Sequence, residues 1–224
     1  MPKRIIQAKN ISKSFGELQV LDGVDISIAK AEVVAITGPS GAGKTTLLQL
    51  LGSLSSPDLS SNTSLEIQGT DILQLDANAL AAFRNQNMGF VFQFHELLDE
   101  FTALENVMMP GLIQGKKQSE LKEKAHQLLQ RLGVDHRLKH KPNSLSGGEQ
   151  QRVAVARALM NDPAIFFADE PSGNLDSQNA ASLHDLFFEL REELQQTFVI
   201  VTHNKTLASM ADRTIQLVDG KITP

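Results

Sequence analysis

Three separate stretches of this 224-residue chain place phosphate-handling residue types at diagnostic spacings. Gly38, Pro39, Ser40, Gly41, Ala42, Gly43, Lys44 and Thr45 fit the pattern G-x-x-x-x-G-K-[ST], and Thr46 follows directly. Glycines at these positions let the backbone curl so that successive N–H groups face phosphate oxygens. A helix starting there adds a positive partial charge at the same point. Lys44 is suited to bridge the β- and γ-phosphates of a nucleoside triphosphate, and the Thr45 hydroxyl to ligate Mg²⁺. Asp169 and Glu170 stand at the end of the apolar run Ile-Phe-Phe-Ala. There Asp169 is suited to hold Mg²⁺, directly or through water, and Glu170 to take a proton from an attacking water. Ser146, Gly147 and Gly148 precede the helical run VAVARALM and form a second anion-ready helix start. Ser146 and Glu149 also fit a capping box, and the two readings are compatible. His203 follows another apolar run, FVIVT, and is placed to contact a γ-phosphate and position water. The other five histidines are read as structural or exposed.

The elements that must hold these residues alternate in type. VVAIT (33–37), IFFAD (165–169) and FVIVT (198–202) are short continuous apolar runs, the type found in strands buried in a parallel sheet, and MGFVF (88–92) reads as a further strand. Segments from Arg4 to about Ile28 read as all-β, LEIQG (65–69) as a further strand, and TIQLVDGKI as a hairpin turning at Asp219-Gly220. TTLLQLLG after the glycines reads as a helix. Between about 94 and 158 the period becomes helical, with Leu121, Ala125, Leu128, Leu129 and Leu132 on one face. A second amphipathic helix over about 178–195 presents Leu183, Leu186, Phe187, Leu190 and Leu194. The Ser-rich stretch 53–64 lacks periodicity and is expected to be an exposed loop. This pattern predicts one α/β domain over 1–224, with a core of about 1–93 and 159–224 and an α-helical subdomain of about 94–158 inserted in it.

Composition narrows the class. A net charge of -5 argues against nucleic acid as the main partner, and the basic group Arg137, Lys139, His140 and Lys141 reads as solvated surface. The absence of cysteine excludes disulfides and thiolate metal sites. No run of about 18 apolar residues occurs, so membrane-spanning helices would have to come from another chain. Two anion-ready helix starts for one γ-phosphate favour two copies head to tail, each closing the other's site.

In this order the motifs resemble those of the ABC ATPase family across essentially the whole chain, with LSGGE at 145–149 the most specific of them. The resemblance implies a P-loop NTPase fold with a RecA-like core, an antiparallel β-subdomain and the inserted helical subdomain. It implies ATP and Mg²⁺ as ligands, Phe15 stacking on adenine, and Gln93 contacting Mg²⁺ and water while linking the site to a transmembrane partner. It also places Asp176 at a dimer interface. The stretches 84–107 and 171–176 are similar to the branch that holds lipoprotein-releasing, export-pump and cell-division ATPases, and most to its lipoprotein-releasing members. That implies a homodimer on permease chains at the cytoplasmic face of a bacterial inner membrane. Phe94, Leu97, Leu98 and Phe101 become candidates for a groove gripping a membrane-protein helix, with burial in the helical subdomain as the alternative. A nucleotide-gated module without turnover would have no use for both Glu170 and His203.

Overall fold

The computed structural model describes residues 3–223, and the chain divides into two compact units. One comprises the described residues up to Arg84 together with those from Arg191 onward; the other is Asn85–Leu190.

In the first unit, β1 (Arg4–Phe15) and β2 (Leu18–Ala29) form a long antiparallel pair, and β1 also pairs with β4 (Ser64–Ile67), which continues to β5 (Thr70–Asp71). Alternation of Ile, Val and Leu with polar residues gives this sheet one buried face, where Ile6, Ile11, Leu21 and Ile28 are wholly inaccessible. A second set of strands is built on β3 (Val33–Thr37), which runs parallel to both β8 (Thr197–Val201) and β9 (Arg213–Val218). Every residue of β8 and the first four of β3 are buried, in keeping with their nearly continuous apolar, mostly β-branched composition. β9 turns antiparallel into β10 (Lys221–Thr223) through Asp219 and Gly220, whose φ angles of 47° and 75° are those of a two-residue hairpin turn. Helix α1 (Lys44–Leu51) packs Leu47, Leu48, Leu50 and Leu51 inward. Each such side chain contributes about 1.5–3 kcal/mol of burial.

The Ser-rich segment is exposed in part and anchored in part. Asp58 bridges Ser12, Lys13 donates to the Ser56 carbonyl at 2.8 Å, and Ser53 and Pro57 are buried. Helix α2 (Ala77–Asn87) has no buried residue.

In the second unit, β6 (Met88–Phe92) and β7 (Ile165–Asp169) are parallel, with Phe90 stacked on Phe167. Gly89 is required there, because a Cβ would sit 2.6 Å from the Ala158 carbonyl. The helices are α3 (Ala103–Ile113), α4 (Gln118–Arg131) and α5 (Gly147–Leu159). On α4 the expected face buries Leu121, Ala125 and Leu129, followed by Leu132, while Leu128 is half-buried. Helix α6 (Ser177–Leu194) buries Leu183, Leu186, Phe187 and Leu190, and its last residue, Leu194, is exposed rather than part of that face. Helix α7 (Lys205–Met210), which belongs to the first unit, is capped by Asn204, whose side chain accepts from the Leu207 N–H.

Candidate functional site

In the first unit the glycine-rich turn leaves the C-terminal end of β3, and His203 leaves the C-terminal end of the neighbouring parallel strand β8, with Thr202 N–H donating to the Ile36 carbonyl. This edge is where parallel α/β sheets receive ligands. Gly38, Gly41 and Gly43 take φ angles of 148°, 79° and 95°, conformations that L side chains rarely adopt. Two of them are also sterically forced. A Cβ on Gly38 would lie 2.0 Å from the Leu217 carbonyl oxygen, and one on Gly43 would lie 2.9 Å from that of Val20. Gly43 caps α1 without a side-chain hydrogen bond, so the cap itself leaves the first amides of the helix to other acceptors. The Lys44 ammonium folds back onto the loop, 3.0 Å from the Gly38 carbonyl and 2.9 Å from that of Pro39. Phe15, at the end of β1, is 55% exposed, which leaves ring area for stacking. Lys13 lies over its ring at 5.5 Å, held by Ser56 and Asp58. His203 is exposed; its neighbour Asn204 occupies the cap of α7, a position that Asn fills as well as Asp.

In the second unit β6 and β7 end in register, Phe92 opposite Asp169, so Gln93 and Glu170 leave adjacent strand ends. Asp169 and Glu170 are half-buried, and Glu170 adopts φ 46°, a left-handed conformation costly for a non-glycine residue. Gln93 is tied to the turn that follows Glu170. Its Nε2 donates to Asn174 Oδ1 at 3.0 Å, and Asn174 Nδ2 donates to the Gln93 carbonyl at 3.1 Å. That turn is anchored from below: buried Gln151 donates to the Pro171 carbonyl at 2.6 Å, and Ser172 Oγ bonds His184 Nε2 at 2.9 Å. Burial pushes the His184 pKa down, so it stays neutral at physiological pH and serves the turn as a structural group. Asp176 caps α6 by accepting from the Asn179 and Gln178 N–H groups, which hold its carboxyl below the usual range, the Asn179 amide most of all.

Ser146 caps α5 within a complete capping box. Glu149 accepts from the Ser146 N–H at 2.8 Å and from its hydroxyl at 2.9 Å, and Arg137 Nε reaches the same carboxylate at 2.6 Å. Arg137 is therefore a structural partner of the segment and not solvated surface, as its basic neighbourhood had suggested. The Ser146 amide first, then Arg137 and the Ser146 hydroxyl, lower the Glu149 pKa from 4.5 to about 2. A depressed folded pKa means stability present above pH 4.5 and lost as pH falls towards about 2. The melting-temperature difference between the parent and Glu149→Gln is accordingly expected to be largest above pH 4.5 and to shrink towards pH 2; a difference independent of pH would contradict it.

Two further contributors carry no sequence signal. The loop after Gln93 places His95 and Glu96 at φ 59° and 50°, and Arg157 of α5 donates to the carbonyls of both. Asn106, wholly buried on α3, accepts from the Leu98 N–H and donates to the carbonyls of Leu98, Phe101 and Thr102. Held this way, the loop exposes Phe94 (71%), Leu98 (42%) and Phe101 (38%) to solvent, with Leu97 half-buried. These side chains are not core of the helical region.

An α/β fold with this glycine loop at a parallel strand end defines a P-loop nucleotide-binding protein. Comparison with known proteins narrows the class. A family model described as ABC transporter matches residues 21–173. The chain is 57% identical over 218 residues to the lipoprotein-releasing system ATP-binding protein LolD of Bacteroides thetaiotaomicron, covering 97% of this chain and 99% of that protein. It is 54% identical over 220 residues to LolD of Cytophaga hutchinsonii, covering 98% and 99%. Among solved structures, the ATP-binding cassette MJ0796, a dimer in a post-hydrolysis state bound to ADP and Pi, superposes with a TM-score of 0.89 at 37% identity, covering 98% of this chain and 97% of that one. The chain belongs to the ABC transporter family.

Proposed function

We propose that this chain is the ATP-hydrolysing subunit of a lipoprotein-releasing transporter, working as a homodimer on LolC/LolE-like permease chains at the cytoplasmic face of a bacterial inner membrane. The observation that carries this reading is near-full-length identity of 54–57% to proteins named LolD. Among the described residues no helix is long and apolar enough to cross a membrane, so a partner must supply the spans.

Each residue receives a role from its own chemistry. Phe15 stacks on adenine. The backbone of residues 38–46 cradles the phosphates, and Lys44 exchanges its two carbonyl partners for phosphate oxygens. Thr45, Asp169 and Gln93 are oxygen donors of the kind Mg²⁺ accepts, a hydroxyl, a carboxylate and an amide, alongside the nucleotide's phosphates. When bound, Mg²⁺ neutralises charge on the phosphates. Glu170 accepts a proton from the attacking water, and His203 orients that water. Segment 146–148 of a second copy closes over the γ-phosphate, which accounts for two anion-ready helix starts in one chain. The dimeric cassettes among the solved structures support that arrangement. The exposed apolar side chains of Phe94, Leu98 and Phe101 are offered to a permease helix.

The test is purification from detergent-solubilised membranes followed by reconstitution. Permease chains are expected to co-purify, and vesicles holding the complex and a lipid-anchored protein are expected to release that protein only with ATP. Co-purification with an export-pump or cell-division membrane protein instead would overturn the lipoprotein assignment while leaving the ATPase intact.

A further inference from the structure

We infer that Asn174 is a positioning residue that fixes the orientation of the Gln93 side-chain amide, so that its oxygen and not its nitrogen is the end offered to a metal ion or water. The inference deepens the proposed function, since it rests on Gln93 serving as a Mg²⁺ and water contact.

The argument follows from which atoms can donate. The Gln93 backbone carbonyl only accepts, so the Asn174 atom 3.1 Å from it must be the NH₂ group. This settles the flip of Asn174 and turns its Oδ1 towards the Gln93 side chain. An oxygen there demands a donor, so the Gln93 atom at 3.0 Å must be Nε2. Turning the Gln93 amide over would set two acceptor oxygens against each other at that distance, leaving both unsatisfied. Gln93 Oε1 is thereby left without a donor among the described residues, with both lone pairs available. An amide oxygen ligates Mg²⁺ or accepts from water; an amide NH₂ group does neither.

Gly173 completes the arrangement. A Cβ at Gly173 would lie 3.0 Å from Gln93 Nε2, 3.1 Å from Cδ and 3.3 Å from Cγ, so the side chain rests closely on this glycine and would have to shift by a few tenths of an ångström to admit a larger residue. The glycine belongs to the turn that its N–H closes on the Glu170 carbonyl at 2.9 Å. The residue proposed as base and the residue proposed as metal contact are therefore braced by the same turn. The two partners are 81 residues apart, which is why no local pattern announces the pair.

Asn174→Leu removes both hydrogen bonds at similar side-chain size, and Gly173→Ala crowds the Gln93 side chain while leaving Asn174 in place. In the nucleotide-free chain, the Gln93 side-chain amide signals in ¹⁵N–¹H spectra are expected to move to the positions of solvent-exposed glutamines in either variant. In the presence of ATP, each variant is expected to need about tenfold more Mg²⁺ for half-maximal hydrolysis, the low end for groups that orient a metal ligand. ATP affinity measured without Mg²⁺ is expected to stay at the parent value. Gln93→Ala should raise the Mg²⁺ requirement at least as much, and Gln93→Ala with Asn174→Leu no further. Unmoved amide signals, additive effects in the double variant, or a parent-like Mg²⁺ requirement in both turn variants beside a raised one in Gln93→Ala would overturn the inference and leave the Gln93 assignment standing. A parent-like requirement in Gln93→Ala would remove that assignment and the inference with it.

Discussion

Glu170→Gln is expected to lower ATP turnover by about 10²–10⁴-fold, the contribution of a positioned general base. It is also expected to leave nucleotide binding intact, so that ATP accumulates on a closed dimer. Gln keeps the shape and the hydrogen-bonding reach of Glu but cannot take a proton from water. The backbone supports a functional reading of this position. Four consecutive buried residues, Ile165–Ala168, deliver the chain to the sheet edge, and Glu170 then sits at φ 46°. A non-glycine residue held in that region costs of the order of 1–3 kcal/mol and persists where the surroundings impose it. Here the imposing contacts are identifiable: Gly173 N–H closes on the Glu170 carbonyl, and Gln151 and His184 hold Pro171 and Ser172. Phosphate release measures the first expectation, and gel filtration with ATP, comparing parent and variant, measures the second. Hydrolysis at the parent rate would show that another group accepts the proton.

What could be read from the sequence and what could not divides along a physical line. Strands 33–37, 88–92 and 165–169 match the structure residue for residue and the run 198–202 lies one residue from the observed Thr197–Val201, because strands buried along most of their length are apolar at most positions. The phosphate loop was legible because its chemistry fixes neighbouring residue types within one turn of chain. Helix α2 was not, since a helix with no buried residue leaves no apolar stripe to find. The Ser-rich stretch reads as open loop, yet Lys13 and Ser12 pin it to β1 from about 45 residues away in sequence. The same limit applies within the candidate site. Spacing identifies Ser146 and Glu170 as residues of interest and the family resemblance adds Gln93, but their supports, Asn174, Arg137 and Gln151, are polar groups whose partners are set by tertiary packing. Arg157 is the plainest example: on sequence it is one more basic residue of an amphipathic helix, and in the structure it holds the carbonyls of two left-handed residues that carry the exposed Phe94 loop.

Lys44→Ala is expected to weaken ATP binding by about 2–5 kcal/mol, the cost of removing one member of a hydrogen-bonded charge pair. That is a factor of roughly 30 to several thousand in Kd. The same substitution is expected to have a small effect on the fold. Lys44 gives up only its two contacts to the Gly38 and Pro39 carbonyls, while the loop's shape is set by glycine φ angles and by the packing of Gly38 against Leu217 and Gly43 against Val20. A loss of about 1 kcal/mol would lower the melting temperature by about 2–4 °C in a chain of this size. Affinity and stability therefore separate at Lys44, whereas Gly38→Ala, which drives a Cβ to within 2.0 Å of the Leu217 carbonyl oxygen, is expected to damage both. Lys44→Arg should not restore binding, because a planar guanidinium cannot replace a compact ammonium between two carbonyls about 3 Å away. Calorimetric titration with ATP and thermal melts of the three variants distinguish these outcomes. Parent-like affinity in Lys44→Ala would mean that the triphosphate is held elsewhere, and the P-loop assignment would fail with it.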